Sequence, residues 1–339
     1  MKARLLLLLS VFLLSTGATI RDLGTLPGGG ASAANAINEA GTVAGFAFNA
    51  AGVQRAVVFT SSGSVIEIPT PVVAGGGSEA HDINDAGLVV GSMATPLVSS
   101  RPFTWSGGSS VVDIGSGTAQ GAAMGINNAK EVVGQSNAAG WRAVRWPAGS
   151  STSITLNSFG GALDYADDIA DFPRIVGASR YSGGPRHAAL WDDKKLIDLG
   201  TLGGTNSAAR ALVVRAWPDW WFTETFVVGE SELAAGPGHI RAFLWTGWTM
   251  IDLGTLPGWF GSRAYGINKN LDVVGWVWDT FGGGDHRAVI WRGGLIEDLN
   301  TWISDPDWEL QFAYDINDAG QIVGFGRYKG QMRAFLLEP

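Results

Sequence analysis

The chain has 339 residues, 46% of them hydrophobic and 16% charged, with 23 Lys and Arg against 31 Asp and Glu and a formal net charge of −8. An acidic chain without a basic patch is a poor partner for nucleic acid or an anionic membrane surface, which weighs against both. It holds no cysteine, which rules out disulfides and thiolate metal sites, and its 49 glycines suit many short strands joined by tight turns.

The amino terminus reads as a secretory signal. Lys2 and Arg4 precede an apolar run, Leu5–Leu14, broken only by Ser10, and Thr16 and Ala18 occupy the −3 and −1 positions of a cleavage site. The run is too short to span a membrane. Residues 1–18 are therefore expected to be removed. Without Lys2 and Arg4, 21 basic residues face 31 acidic ones, a net charge of −10. The mature chain, 19–339, is expected in the periplasm or the medium, as a monomer with no further membrane span.

A strand-like segment, Ile20–Gly24, comes next, and then a unit repeats seven times. Its first phrase is A-x-x-I-N, at Ala34–Asn38, Ala80–Asn84, Ala123–Asn127, Ala264–Asn268 and Ala313–Asn317, with Ala166–Ala170 and Ala209–Val213 in copies four and five. The second is a V-V-G strand ending at Gly45, Gly91, Gly134, Gly177, Gly229, Gly275 and Gly324. The third is R-A-F-L-W: Arg55–Phe59, Arg101–Trp105, Arg142–Trp146, His187–Trp191, Arg241–Trp245, Arg287–Trp291 and Arg333–Leu337. The fourth is an I-D-L-G strand: Ile66–Pro69, Val112–Gly115, Ile154–Asn157, Ile197–Gly200, Ile251–Gly254 and Glu297–Asn300. Four short strand signals in a unit of roughly 40–50 residues describe a propeller blade. The blades should cover about 31–69, 78–115, 120–157, 162–200, 207–254, 262–300 and 311–337.

The last copy lacks a fourth strand, while Ile20–Gly24 is a fourth strand without a blade. A ring explains both: the first strand of the mature chain completes the last blade and removes an open sheet edge. The expected fold is all-β, a seven-bladed propeller of four-stranded blades closed in this way. The invariant Ala belongs where seven strands crowd the axis, the Gly where crowding must be relieved, and the Trp or Phe ending the third strand between blades. N-D-A-G and N-E-A-G turns place Gly41, Gly87 and Gly320 in a left-handed position. Lys130, Pro173 and Leu271 stand at the same offset, so those three turns are expected to differ.

This sequence of phrases resembles the HAF family of extracellular repeat proteins, most closely at Arg241–Leu256 and Asp198–Gly204. The resemblance covers nearly all of the mature chain and implies a secreted bacterial repeat protein built as a β-propeller. It implies no activity and no catalytic residues. Copy five departs most, with Ala216–Phe226 in place of the I-N phrase.

No catalytic motif, metal-ligand spacing or cofactor fingerprint emerges, so no catalytic residue, metal or cofactor is expected. The repeated Arg faces a recurrent acid on the fourth strand (Asp22, Glu67, Asp113, Asp198, Asp252, Asp298), which reads as pairing. Asp82–Gly87 and Asp315–Gly320 resemble calcium loops faintly but stop at the Gly. The acidic cluster Asp164, Asp167, Asp168 and Asp171 reads as a solvated loop, with an axial general-acid role as its alternative. His81, His187, His239 and His286 form no metal pair.

Tryptophan stands out. Beyond the repeat's own positions, nine of ten fall after residue 216. Trp259, Phe260, Phe281, Trp302 and Trp308, with Trp276 and Trp278, should gather on one face, and Trp217, Trp220 and Trp221 on the other. The candidate ligand site is Trp259, Phe260, Trp276, Trp278, Asp279, Asp285, Trp302 and Trp308, aromatic platforms beside carboxylates that suit sugar rings or a surface protein. The reading of the same residues as self-burying loops stays open. So do two other functions: a polysaccharide-acting enzyme with carboxylates at the channel mouth, and a structural matrix protein.

Overall fold

The computed structural model describes residues 17–71, 73–193, 195–216 and 223–339. Most of the expected signal segment, residues 1–16, and the tryptophans Trp217, Trp220 and Trp221 lie outside them. Seven four-stranded antiparallel sheets form the molecule, six of them running outward in chain order from first to fourth strand. The first strands are Ser32–Ile37, Ser78–Ile83, Gly121–Ile126, Tyr165–Ile169, Gly203–Ala216, Gly261–Ile267 and Trp308–Ile316. Each touches the first strand of the next blade, the seventh touching the first, so the sheets close a seven-bladed β-propeller around an axial channel.

In the seventh blade the outer strand is Thr19–Asp22, which pairs antiparallel with Gln331–Glu338 (Thr19 opposite Glu338, Asp22 opposite Phe335). Chain start and chain end thus share one sheet. The interlock is extended by Ser32, whose hydroxyl accepts from the Ala334 amide at 3.0 Å and donates to the Gly24 carbonyl. Ser207 and Ser262 do the same between blades four and five and between five and six.

Second and third strands are sandwiched between two neighbouring blades. They therefore read as near-continuous apolar runs, as in Val43–Phe48 and Gln54–Phe59. Fourth strands form the rim, are as short as two residues, and are exposed. Short edges of this kind discourage edge-to-edge pairing.

The repeated phrases each have a physical cause. All seven first strands carry a β-bulge immediately after the invariant Ala. Those alanines, Ala34, Ala80, Ala123, Ala166, Ala209, Ala264 and Ala313, are completely buried. The V-V-G glycine pairs with that Ala, and a Cβ on it would strike a first-strand carbonyl oxygen in every blade, Ala33 O opposite Gly45 and Arg263 O opposite Gly275 among them. The third-strand tryptophans fill the interfaces: Trp146 donates to the Ile114 carbonyl of the preceding blade and Trp191 to Asn157, both at 2.8 Å.

The Asn of the I-N phrase does two things. Its Oδ1 accepts from its own hairpin, from Thr42, Leu88, Glu131, Asp272 and Gln321 in blades one, two, three, six and seven. Its amide donates to the equivalent backbone carbonyl of the next blade: Asn38 to Asn84, Asn84 to Asn127, Asn127 to Ala170, Asn268 to Asn317 and Asn317 to Asn38. A second tier repeats the step one residue on, with Glu39 N donating to Asp85, Asp85 N to Asn128, Asn128 N to Asp171 and Lys269 N to Asp318. The calcium-like runs are thus inter-blade latches. The chain of amides is interrupted at Ala170 and Val213, in the two copies that lack the Asn.

Two expectations are corrected. Lys130 and Leu271 take the same left-handed conformation as the glycines, with φ of 65° and 64° against 76° at Gly41. The strain is tolerated because the Asn127 and Asn268 side chains clamp these turns. Of these three, only the turn through Pro173, whose ring forbids positive φ, departs from the pattern. The Arg–acid pairing holds for Arg55–Glu67, Arg101–Asp113, His187–Asp198 and Arg287–Asp298. In blades three and five the Arg staples the outgoing loop instead, Arg142 bonding the Gly161 carbonyl and Asp164 and Arg241 the Phe260 carbonyl, and in blade seven Arg333 bonds Gln331 on its own strand.

Candidate functional site

The bulge in each first strand turns one residue toward the axis. It is the second residue of A-x-x-I-N: Asn35, His81, Met124, Asp167, Arg210, Tyr265 and Tyr314. All seven line one axial cavity of about 260 Å³. At this position the seven blades supply six different side chains, tyrosine alone occurring twice. That variability is the signal the sequence carries for the channel, and it is independent of the aromatic pattern.

Beside these residues, the third position carries Asp82, Asp168 and Asp315 in blades two, four and seven. Each carboxylate accepts its own next amide through Oδ1 and the next blade's amide through Oδ2: Ile126, Leu212 and Ile37, at 2.8, 2.9 and 2.9 Å. Burial pushes all three up to about 7, with mutual repulsion around the channel adding to it. The acidic cluster of blade four is therefore not a solvated loop. Asp168 latches blade five, Asp164 is buried against Ser179 and Arg142, Asp171 joins the second tier, and Asp167 faces the channel.

Two residues nearer the start of the first strands, side chains of blades four to seven build a mixed charged and aromatic cluster. Arg210 is held between Asp167 at 2.9 Å and Glu230 at 2.7 Å. Arg263 Nε lies 2.8 Å from the other Glu230 oxygen, off the N–H direction, so the pair is ionic without a hydrogen bond. Burial raises Asp167 despite Arg210. Burial also acts to raise Glu230, but Arg210 and Arg263 overcome it and leave that carboxyl below its usual range. Tyr165 lies under two guanidiniums, Arg186 at 5.4 Å and Arg210 at 5.8 Å, and Arg263 lies 5.3 Å from the Trp276 ring. The aromatic wall continues from Trp276 to Phe312 (5.1 Å), Phe312 to Phe325 (4.6 Å) and Tyr265 to Tyr314 (5.2 Å). The Trp276 indole nitrogen and Arg186 Nε are buried without a hydrogen-bond partner.

The sequence-derived candidates separate into four groups. Trp276 belongs to the channel-mouth cluster. Phe260 joins a rim group with His239 (5.2 Å) and Phe281 (5.7 Å), the last of these 68% exposed. Asp279 and Asp285 are neighbours, the Asp285 amide donating to Asp279 at 3.1 Å. The remaining four are packing residues. Trp278 is buried over Gly261, and Trp259 packs into the core between blades five and six. Trp308 is buried and stacked on Tyr328 at 4.8 Å, while Trp302 packs beside it and donates to Glu297 at 3.0 Å. The face is not an open row of rings, because its loops bury most of their own aromatics. Trp248, which lies outside the candidate set, is 95% exposed.

Among the described residues no group of three or more His, Asp or Glu is placed to hold a metal ion, and no helix is long and apolar enough to cross a membrane.

No family model and no curated protein matches this sequence. Among solved structures it is similar to streptogramin B lyase, at 12% identity and a TM-score of 0.53, over 95% of this chain and 98% of that one. It is also similar to the BP39L lectin from Burkholderia pseudomallei (12% identity, TM-score 0.47, 89% of this chain and 94% of that one). A third likeness is to TolB from Acinetobacter baumannii (12% identity, TM-score 0.45, 74% of this chain); the chain spans only 64% of that protein's length. At these identities the likeness is one of fold, and fold does not carry function. The chain is a ring-closed seven-bladed β-propeller with a charged, aromatic-walled channel mouth.

Proposed function

We propose that the protein is an exported, non-catalytic binding propeller whose ligand, a glycan, docks at the channel mouth beside Trp276. The amino-terminal pattern and the resemblance to the HAF repeat family support export. The observation that carries the binding reading is a set of buried donors without partners, Trp276 Nε1, Arg186 Nε and Arg210 Nε, within a cluster of rings and charges. Buried polar groups are nearly always satisfied, and a donor left open beside an aromatic wall is a place for a ligand acceptor. Aromatic faces with a few fixed polar groups also suit the alternating apolar and hydroxyl surfaces of a sugar.

The test is calorimetric titration of the mature protein with a panel of neutral and acidic oligosaccharides. Binding to some of them is expected, with affinity reduced about ten-fold or more in Trp276→Ala. Titrations flat across the panel would remove the glycan reading and leave a protein ligand or a structural role.

One observation favours a second reading, a polysaccharide-acting enzyme. Asp167 and Glu230 share Arg210, yet one carboxyl is held high and the other low. Such a split is what an acid and a base require. Reducing ends released from a bound glycan, and lost in Asp167→Asn, would establish it.

A further inference from the structure

Blade four carries two arginines that the fold does not neutralise. Arg180 and Arg186 are directly opposite each other on its second and third strands, so their side chains leave the sheet on the same face. Tyr165 lies opposite Ala178, two residues before Arg180, on that face. Neither guanidinium has an acidic partner within ion-pair distance among the described residues. The Arg180 guanidinium donates only to the Gly184 carbonyl at 3.2 Å, the Arg186 guanidinium rests on the Tyr165 ring, and the Nε atoms of both are buried and unpartnered. Asp167 and Glu230, on which the Arg186 charge acts, are already engaged by Arg210 and Arg263, and Asp164, which accepts the Arg180 backbone amide, is paired with Arg142. Five cations, Arg142, Arg180, Arg186, Arg210 and Arg263, therefore stand against three carboxylates here, in a protein whose overall charge is −8.

Like charges directly opposite each other are unfavourable, and a fold gains nothing from burying their donors unpaired. A planar carboxylate would answer both, since a guanidinium offers it a bidentate fork. We infer that the ligand is acidic: a uronate-bearing oligosaccharide whose carboxylate is taken by Arg186 and Arg180. The inference rests on the binding reading above and narrows its ligand class.

The experiment titrates the mature protein with uronate oligomers, with neutral oligomers of the same length and with free uronate monomers, at low and at high salt. The uronate oligomers are expected to bind about ten-fold tighter than the neutral ones, the usual scale of one charged hydrogen bond. That margin should shrink with salt and vanish in Arg186→Gln, with Arg186→Lys intermediate because it keeps the charge and loses the fork. Far-ultraviolet circular dichroism and the unfolding midpoint establish that both variants are folded. Equal affinity for acidic and neutral oligomers, or a margin unchanged in Arg186→Gln, overturns the anionic assignment while leaving the binding reading in place. Monomers that bind as tightly as oligomers identify a free carboxylate as the ligand and overturn the glycan part. Binding of neither oligomer class takes away the parent reading itself.

Discussion

At the scale of single residues, one glycine per blade shows how sharply the fold constrains sequence. Gly229 has ordinary strand geometry, so its identity is not a matter of φ. It is required because the bulge beside Ala209 brings the Ala208 carbonyl oxygen to where a Cβ would stand. Gly229→Ala should therefore destabilise the protein by about 2–3 kcal/mol, the scale of an overpacked core, read as a lower urea midpoint with an unchanged slope. A variant as stable as the parent would mean that the first strand can shift and that the crowding argument is wrong. The V-V-G phrase was plain in the sequence. Its cause was not, because the obstructing atom belongs to a different strand, 12 positions earlier in six blades and 21 at Gly229.

At the scale of elements, the first hairpin of each blade serves as a joint to the next. Asn84 receives the Leu88 amide and donates to the Asn127 carbonyl, so one side chain ties a turn and an interface together. Asn84→Asp keeps the acceptor for the turn and loses the donor, placing a carboxylate oxygen against the Asn127 carbonyl. The expected cost is about 1–3 kcal/mol, larger at neutral pH than at pH 4, where a protonated Asp recovers a donor. Denaturation at both pH values checks it; equal losses would show that the turn, and not the joint, sets the energetics. The sequence reading found these Asn and Asp residues and gave them the local half of their role. The other half is between blades and about 43–49 residues distant in the chain, beyond any local pattern.

At the scale of the whole molecule, the three axial carboxylates give the ring a dependence on pH. Asp82, Asp168 and Asp315 sit near 3.8 in an unfolded chain and are pushed up to about 7 by burial in the channel. The folded protein thus holds more protons than the unfolded one between those values, so their contribution to stability is fully present below pH 4 and is lost as pH rises through about 7. The urea midpoint should fall between pH 5.5 and pH 8, and Asp168→Asn should reduce that slope while giving up one amide acceptor. A slope that is unchanged in the variant would locate the titration elsewhere.

Sequence by itself determined the number of blades, their four strands, the closure by the amino-terminal strand and the residues that fill the interfaces. These follow from a repeated local pattern, and a ring of identical units leaves little freedom once the unit is known. Tertiary structure alone decided which aromatics are open and which charges meet. Trp276 and Trp308 look alike in the chain, yet one borders the channel mouth and the other lies under a stacked tyrosine. Arg210, Arg263 and Glu230 come from two blades and converge because neighbouring first strands crowd the axis. Burial and charge pairing depend on distance in space, and a repeat pattern carries only distance along the chain.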